Sequence, residues 1–336
     1  MNNMPSQQSN KYEKKILIIS GGWGKIRKEQ EHSLSYGRAV YQELIDAGYN
    51  AYLKEFISKE ELLKLSYSPD LVVFNTLYGK YGENGIVPAI LEFKGISYTG
   101  SGVFPSSLAM DKTRCSFFVK NLDLNIPRFL LFNSDHLDDL KKLRINWLNN
   151  YKHKTIDIDE KELEYPLIIK PNCSSFSEGI SIVQNDNDLR LAIKNASLID
   201  REVIIQEFIE GSILHVPVLR GKALSPIECI PSLVKMNGLP RFSFQSKRKT
   251  YVVPARFNDD TITHIKLIAE KIHKQIGCRG LTRCDFIISR MNEVFFLEIN
   301  TQHSIRLNSM ATKSAEASNL SAINLIEQII DDRWFQ

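Results

Sequence analysis

Over the first third of the chain, short apolar runs alternate with longer stretches in which apolar residues recur at helical spacing. KKILIIS (14–20) and DLVVFN (70–75) are continuous apolar runs of the kind expected of strands covered on both faces. Between them the spacing predicts a helix over 33–47 closed by Gly48, a strand over 51–56 and a helix over 58–65. WGKIRKEQEHS (23–33) reads as a polar loop, and YGKYGENG (78–85) as a glycine-rich one. Strands alternating with helices predict a parallel sheet, with ligands beyond the carboxyl ends of its strands. After Asp111 the pattern changes. A helix over 113–122 and a strand over 126–131 lead into a charged stretch, 134–164, taken as helix plus loop. A strand over 165–171, a small polar loop over 172–179, a strand over 180–183, a helix over 188–196 and a strand over 203–209 follow. Two further β-prone runs, 285–288 and 294–298, flank a hairpin turn at 290–293, and a last helix covers 320–330. The expected class is mixed, α/β followed by α+β.

The late hairpin carries acids inside its apolar runs. Alternate strand residues share a face, so Arg283 and Asp285 form one same-face pair, and Glu298 and Asn300 another. Pairing the two strands brings Asp285, Glu298 and Asn300 together. Buried carboxylates need a cation, and three oxygen ligands on a sheet suit a hard divalent ion such as magnesium.

Lys170 ends an apolar strand at the rim of the serine-rich loop NCSSFSEG (172–179). A fixed cation beside backbone N–H groups and hydroxyls is a site for phosphate. Lys112, in LAMDKTR, supplies a second cation at a helix start. Two lysines and a carboxylate cluster in one chain together fit a nucleoside triphosphate held with magnesium, in which positioning and charge stabilisation carry phosphoryl transfer.

Composition narrows the classes. The 336 residues are enough for two or three packed lobes, and 43% hydrophobic with 24% charged content is ordinary for a globular protein. A formal charge of +4 without a dense basic block does not imply nucleic acid. No apolar run approaches a membrane span, and residues 1–12 lack the apolar core of a signal peptide and read as a disordered lead-in. Five cysteines without a CxxC pair fit a reduced, cytoplasmic protein.

Several stretches, in order, resemble one family. EQEHSLSYG (29–37), VVFNTLYGKYGENGIVPAILEFKGISYTGSG (72–102), LAMDK (108–112), IIKPNCSSFSEGIS (168–181), IQEFIEG (205–211), GCRGLTRCDF (277–286) and FLEINTQHS (296–304) are similar to the blocks of ATP-grasp carboxylate–amine ligases. Within that superfamily the likeness is strongest to the D-alanine–D-alanine ligases. The resemblance implies an ATP-grasp fold of three lobes, 13–111, 112–211 with lid 172–179, and 212–336, with ATP between the central and C-terminal lobes. It implies two magnesium ions, with manganese as an alternative, on Asp285, Glu298 and Asn300, and ATP held by Lys112, Lys170, Ser177, Gln206, Glu207 and Ile209. It assigns the first substrate's ammonium to Glu31, the oxyanion to Arg283 and the Ser304 backbone N–H, and the second substrate to Lys247, Arg248 and Ser309. The implied partners are small-molecule amino acids, with neither nucleic acid nor membrane, and a homodimer built on the N-terminal lobe.

The sequence departs from the family around the amino-acid pockets. Phe176 stands for a lid serine, Arg248 for a tyrosine, Tyr78 for a histidine, Gln302-His303-Ser304 for S-P-G, and Ile213 for the acid expected on the ribose. A changed polar partner can shift substrate preference by orders of magnitude. Two other functions therefore stand beside a D-alanine ligase: a peptide or amide ligase of a secondary pathway, and a catalytically silent binding module. A dehydrogenase lacks its glycine fingerprint, since GGWGKIRKEQ does not supply one, and the P-loop motif is absent.

Overall fold

The computed structural model describes residues 14–22, 27–135, 144–145, 162–175, 177–230, 232–236, 239–243 and 250–334. The expected lead-in, most of the 134–164 stretch, Phe176, Lys247 and Arg248 lie outside them.

The first unit is β1 (Lys15–Gly21), α1 (Arg27–Asp46), β2 (Asn50–Phe56), α2 (Lys59–Leu63), β3 (Leu71–Asn75), α3 (Lys80–Glu83), α4 (Ile86–Phe93), β4 (Ser97–Tyr98) and α5 (Val103–Met110). Its sheet is parallel, in the order β2-β1-β3-β4, as the alternation predicts. One face buries Ile19, Val73, Val87 and Tyr98, and the other Ile16, Ile18, Val72 and Phe74. Helix α1 begins at Arg27, inside the stretch expected to be a loop. Its buried stripe is Glu29, Ser33, Tyr36, Gly37, Val40 and Leu44. That spacing is helical, but the first turns bury polar groups, so an apolar pattern does not reveal them. Ser33 Oγ donates to the Thr76 carbonyl at 2.7 Å and accepts from Gly21 N–H at 2.9 Å, which pins the helix over the ends of β1 and β3. The segment YGKYGENG holds the short helix α3 rather than loop alone.

Next come α6 (Lys112–Lys120), β5 (Phe129–Asn133), β6 (Leu167–Pro171), β7 (Ser181–Val183), α7 (Asp186–Ser197) and β8 (Glu202–Glu207). The strands form an antiparallel sheet, β5-β8-β6-β7, with α7 packed on one face through Leu189, Ala192, Ile193 and Ala196.

The rest is β9 (Gly211–Leu219), β10 (Lys222–Ala223), β11 (Ile227–Ile230), β12 (Ser232–Met236), β13 (Leu239–Ser243), β14 (Thr250–Val252), α8 (Asp259–Ile276), β15 (Leu281–Ser289), β16 (Val294–Asn300), α9 (Met310–Glu316) and α10 (Ala322–Asp331). A large antiparallel sheet runs β14-β11-β9-β15-β16, with β10 beside β9 and a separate β12–β13 pair. Buried clusters join the units. Cys115 and Val119 of α6 pack with Phe286, Phe296 and Ile272 beneath the large sheet, and Leu325, Ile326 and Ile329 of α10 share a core with Ile16 and Val72. A parallel α/β sheet followed by two antiparallel sheets is the mixed class that the sequence predicts.

Candidate active site

The hairpin of β15 and β16 forms with its turn where expected. Its register pairs Asp285 with Glu298 and Arg283 with Asn300, so the acids and the amide meet on one face. A bulge makes this possible. Phe286 pairs with Phe296 while Asp285 pairs with Glu298, which leaves Leu297 as the extra residue. Without it, Glu298 would share a face with Phe296, which is in the core. With it, Phe296 and Ile299 face the core, and Glu298 and Asn300 line a cavity of about 630 Å³.

The same cavity is lined by Lys112, Lys170, Ser177, Gln206, Glu207, Ile209, Arg283, Asp285, Ser304 and Ser309. Lys112 opens α6, whose N-cap Asp111 accepts from Arg114 N–H at 3.0 Å. Its Nζ donates to the Ser174 carbonyl at 2.6 Å and lies 3.6 Å from Glu298. Lys170, at the end of β6, is buried, and burial lowers its ammonium to about 8, with Lys112 acting the same way and Glu298 opposing. Two buried cations against one half-buried carboxylate leave positive charge that an anion would neutralise. Asn172 locks the lid's base to α6: its Oδ1 accepts from Thr113 N–H at 3.0 Å and from the Thr113 hydroxyl at 2.7 Å. Glu207 spends its carboxylate on Arg128, at 2.7 Å from both N–H and Nε, so only its backbone is left for a ligand. Ser309 caps α9, accepting from Thr312 N–H at 3.3 Å.

Asp285 is held by Arg283, through Nε at 2.7 Å and Nη2 at 2.8 Å, and by His215 Nδ1 at 2.7 Å. Burial alone would raise its carboxyl, but Arg283 and His215 outweigh it and keep it ionised, below the usual carboxylate range. An ionised Asp285, a half-buried Glu298 and the Asn300 amide are an oxygen set that magnesium accepts, and these residues fit the ion.

Glu31 does not join the site. It is exposed, pairs with Arg27 at 2.9 Å on the surface of α1 and lies off the cavity wall. The buried acid of that helix is Glu29, packed against the backbone of Gly79. Burial, then Glu83 and Glu178, raise its carboxyl to about 7. Glu83 is a second residue that the sequence left unassigned. It lines the cavity, is buried, and its Oε2 accepts from Gly79 N–H at 2.8 Å and from the Ser175 hydroxyl at 2.7 Å. Its only sequence signal is an acid inside a glycine-rich segment. His32, His215, His303, Tyr78 and Arg306 also line the cavity. Tyr78 donates to the Gln302 carbonyl at 2.8 Å, which ties the first sheet to the loop after β16.

Comparison with known proteins shows which family the chain is similar to. Residues 118–331 match the family model described as D-ala D-ala ligase C-terminus. The D-alanine–D-alanine ligase of Pelagibacter ubique (strain HTCC1062) is 36% identical over 322 residues, covering 95% of this chain and 98% of that protein. The D-alanine–D-alanine ligase of Geotalea uraniireducens (strain Rf4) is 30% identical, covering 94% of each. Among solved structures, the D-alanine–D-alanine ligase of Bacillus anthracis complexed with ATP superposes with a TM-score of 0.76 at 23% identity, over 95% of this chain and 96% of that one. The VanG D-Ala:D-Ser ligase of Enterococcus faecalis gives 0.76 at 24%, over 95% and 98%. Its fold is ATP-grasp, and the chain belongs to the D-alanine–D-alanine ligase family.

Proposed function

We propose that this protein is an ATP-dependent, ADP-forming ligase that joins two amino acids, D-alanine as donor, in the cavity where its three units meet. The observation that carries this reading is the meeting of two buried lysines with Asp285, Glu298 and Asn300 on one cavity wall. Lys112 and Lys170 bind phosphate oxygens, and Ser177 in the lid closes over them. Gln206, with the backbone of Glu207 and Ile209, edges the adenine. Asp285, Glu298 and Asn300 would hold magnesium, which when bound would neutralise the triphosphate and draw charge from the transferring group.

The donor carboxylate is a poor electrophile. It takes the γ-phosphoryl group of ATP to give an acyl phosphate and ADP; the acceptor amine then displaces phosphate and an amide forms. Arg283 and the Ser304 N–H stabilise the oxyanion as it develops. Glu83, which lines the cavity where Glu31 does not, receives the donor's ammonium, and the arriving cation also favours the ionised form of Glu29 beside it, a carboxyl that burial otherwise keeps partly protonated near neutrality. Ser309, with Lys247 and Arg248, holds the acceptor carboxylate. We take 13–111, 112–211 and 212–336 as the three working lobes, and the active form as a cytoplasmic homodimer through the first. Free cysteines throughout and the lack, among the described residues, of a helix able to cross a membrane support that location.

Purified protein assayed for ADP release against single and paired amino acids tests the reading. D-alanine with ATP and magnesium is expected to give acceptor-dependent turnover. ATP binding without any such release would favour a silent binding module, and turnover only with another pair would assign a different ligase.

A further inference from the structure

Three strands lay the cavity out in the same order. On β6, Lys170 and Ile168 stand two residues apart and share a face; His215 and Ile213 do the same on β9, and Asp285 and Ile287 on β15. All six side chains line the cavity. The β9–β15 ladder keeps its rows in step, with Asp285 opposite His215 and Ile287 opposite Ile213. One row is therefore polar, and the next, about 7 Å along the strands, is isoleucine three times over. Ile168 also pairs with Gln206 of β8, the strand that edges the adenine, so the isoleucines lead from the phosphate end to the base.

A nucleoside triphosphate laid along this course puts its ribose, the group that joins phosphate to base, over the isoleucines. Ribose hydroxyls are read by acceptors, carboxylates above all. Among the described residues, the acids lining the cavity are Glu83, Glu207, Asp285 and Glu298. Glu207 is committed to Arg128. The other three stand at the metal and lid end: Asp285 and Glu298 pair across the hairpin, and Glu83 accepts from Ser175 and, at 3.5 Å, from the Asn300 amide. Glu210, next after Ile209, is exposed, pairs with Arg290 at 2.6 Å and lies off the cavity wall. In the row of Ile213, Cys229 of β11 offers only a weakly bonding thiol, and Tyr251 of β14 stands two strands off, about 10 Å away. Resting on the ligase reading, we propose that Ile213 and Ile287 form a sugar subsite that does not read the ribose hydroxyls, so that deoxyadenosine triphosphates serve this enzyme as well as ATP. A site built to bond a hydroxyl rejects the analogue lacking it by several orders of magnitude, because its own polar group is left unpaired. Isoleucine leaves nothing unpaired.

Calorimetric titration of the purified protein with Mg-ATP, Mg-2′-dATP and Mg-3′-dATP reads this without turnover. The three Kd values are expected to lie within about threefold of one another, and the KM values in D-alanine turnover should follow them. Ile213→Glu places an acceptor in the isoleucine row and is expected to make the protein prefer ATP over at least one deoxy form by about tenfold or more. Ile213→Gln, which adds no charge, should move the ratio the same way if the acid variant does not fold. Wild type that prefers ATP over either deoxy form by more than about threefold would overturn the proposal, as would a folded Ile213 variant with an unchanged ratio. Equal binding of all three nucleotides without ligase turnover would sink the ligase reading and leave the subsite standing. Wild type that binds none of them would overturn both.

Discussion

Glu29 and Glu31 sit two positions apart on α1, about 200° around the helix, so one faces the core and the other faces water. Burial gives the fold control over the charge state of Glu29. Glu31→Gln is expected to leave turnover within about threefold of wild type, because exposed i,i+4 pairs contribute little. Glu29→Gln should raise the donor KM by about tenfold through the lost negative charge beside Glu83. Glu29 bears on stability as well. The Glu29 carboxyl is raised to about 7 in the folded protein from an ordinary 4.5, so its contribution is complete below pH 4.5 and is lost as pH rises through 7. Melting curves should therefore show Glu29→Gln gaining a few degrees on wild type between pH 5 and pH 8. Gly79 explains why the carboxylate fits at all. Its φ is +83°, and a Cβ there would come within 2.0 Å of Glu29 Oε2. Gly79→Ala should lower the melting temperature and raise the donor KM together, since the strained backbone and the displaced carboxylate share one cause.

At the level of elements, Asn172 staples the base of the lid to the first turn of α6, which carries Lys112. Asn172→Ala leaves the buried Thr113 N–H and hydroxyl without their acceptor, a loss of about 2–3 kcal/mol. Calorimetry should show a drop of roughly 3–4 °C, and the KM for ATP should rise more than that for the donor. The elements themselves were unevenly legible in the sequence. The β15–β16 hairpin announced itself by acids in alternating positions of apolar runs, and β1 and β3 by continuous apolar stretches. Two features left no such mark. The start of α1 buries Glu29, Ser33 and Gly37, so hydrophobic periodicity begins a turn and a half late. The Leu297 bulge is one apolar residue among several, yet it decides which way Glu298 and Asn300 face. Glu83 was hidden for a related reason: it acquires meaning only through partners far away in the chain.

For the whole molecule, the cavity draws its walls from all three units, through helix and loop residues of the first and strands of the other two, so binding there should stabilise every unit at once. Mg-ATP at a hundred times its Kd would add about 2.7 kcal/mol, a rise in melting temperature of roughly 4 °C for a chain of this length. EDTA should abolish most of that rise, and Glu298→Gln should do the same without unfolding the protein, because Glu298 is half-buried and at the cavity edge. Lys170 gives the sharper test, since it opposes stability to binding. Burial lowers its ammonium to about 8 in the folded protein from an ordinary 10.5, so below pH 8 the fold carries a desolvated charge that the unfolded chain leaves in water. The unfolded chain binds more protons between pH 8 and 10.5, and wild-type stability rises across that window. Replacing the charge by a hydrocarbon of similar length removes the penalty. Ligand-free Lys170→Met should accordingly melt a few degrees above wild type at pH 7, with the gain shrinking toward pH 10, while its response to Mg-ATP disappears. A variant that melted lower without ligand and still gained the full stabilisation from Mg-ATP would mean that Lys170 serves the core and leaves the phosphates to other residues.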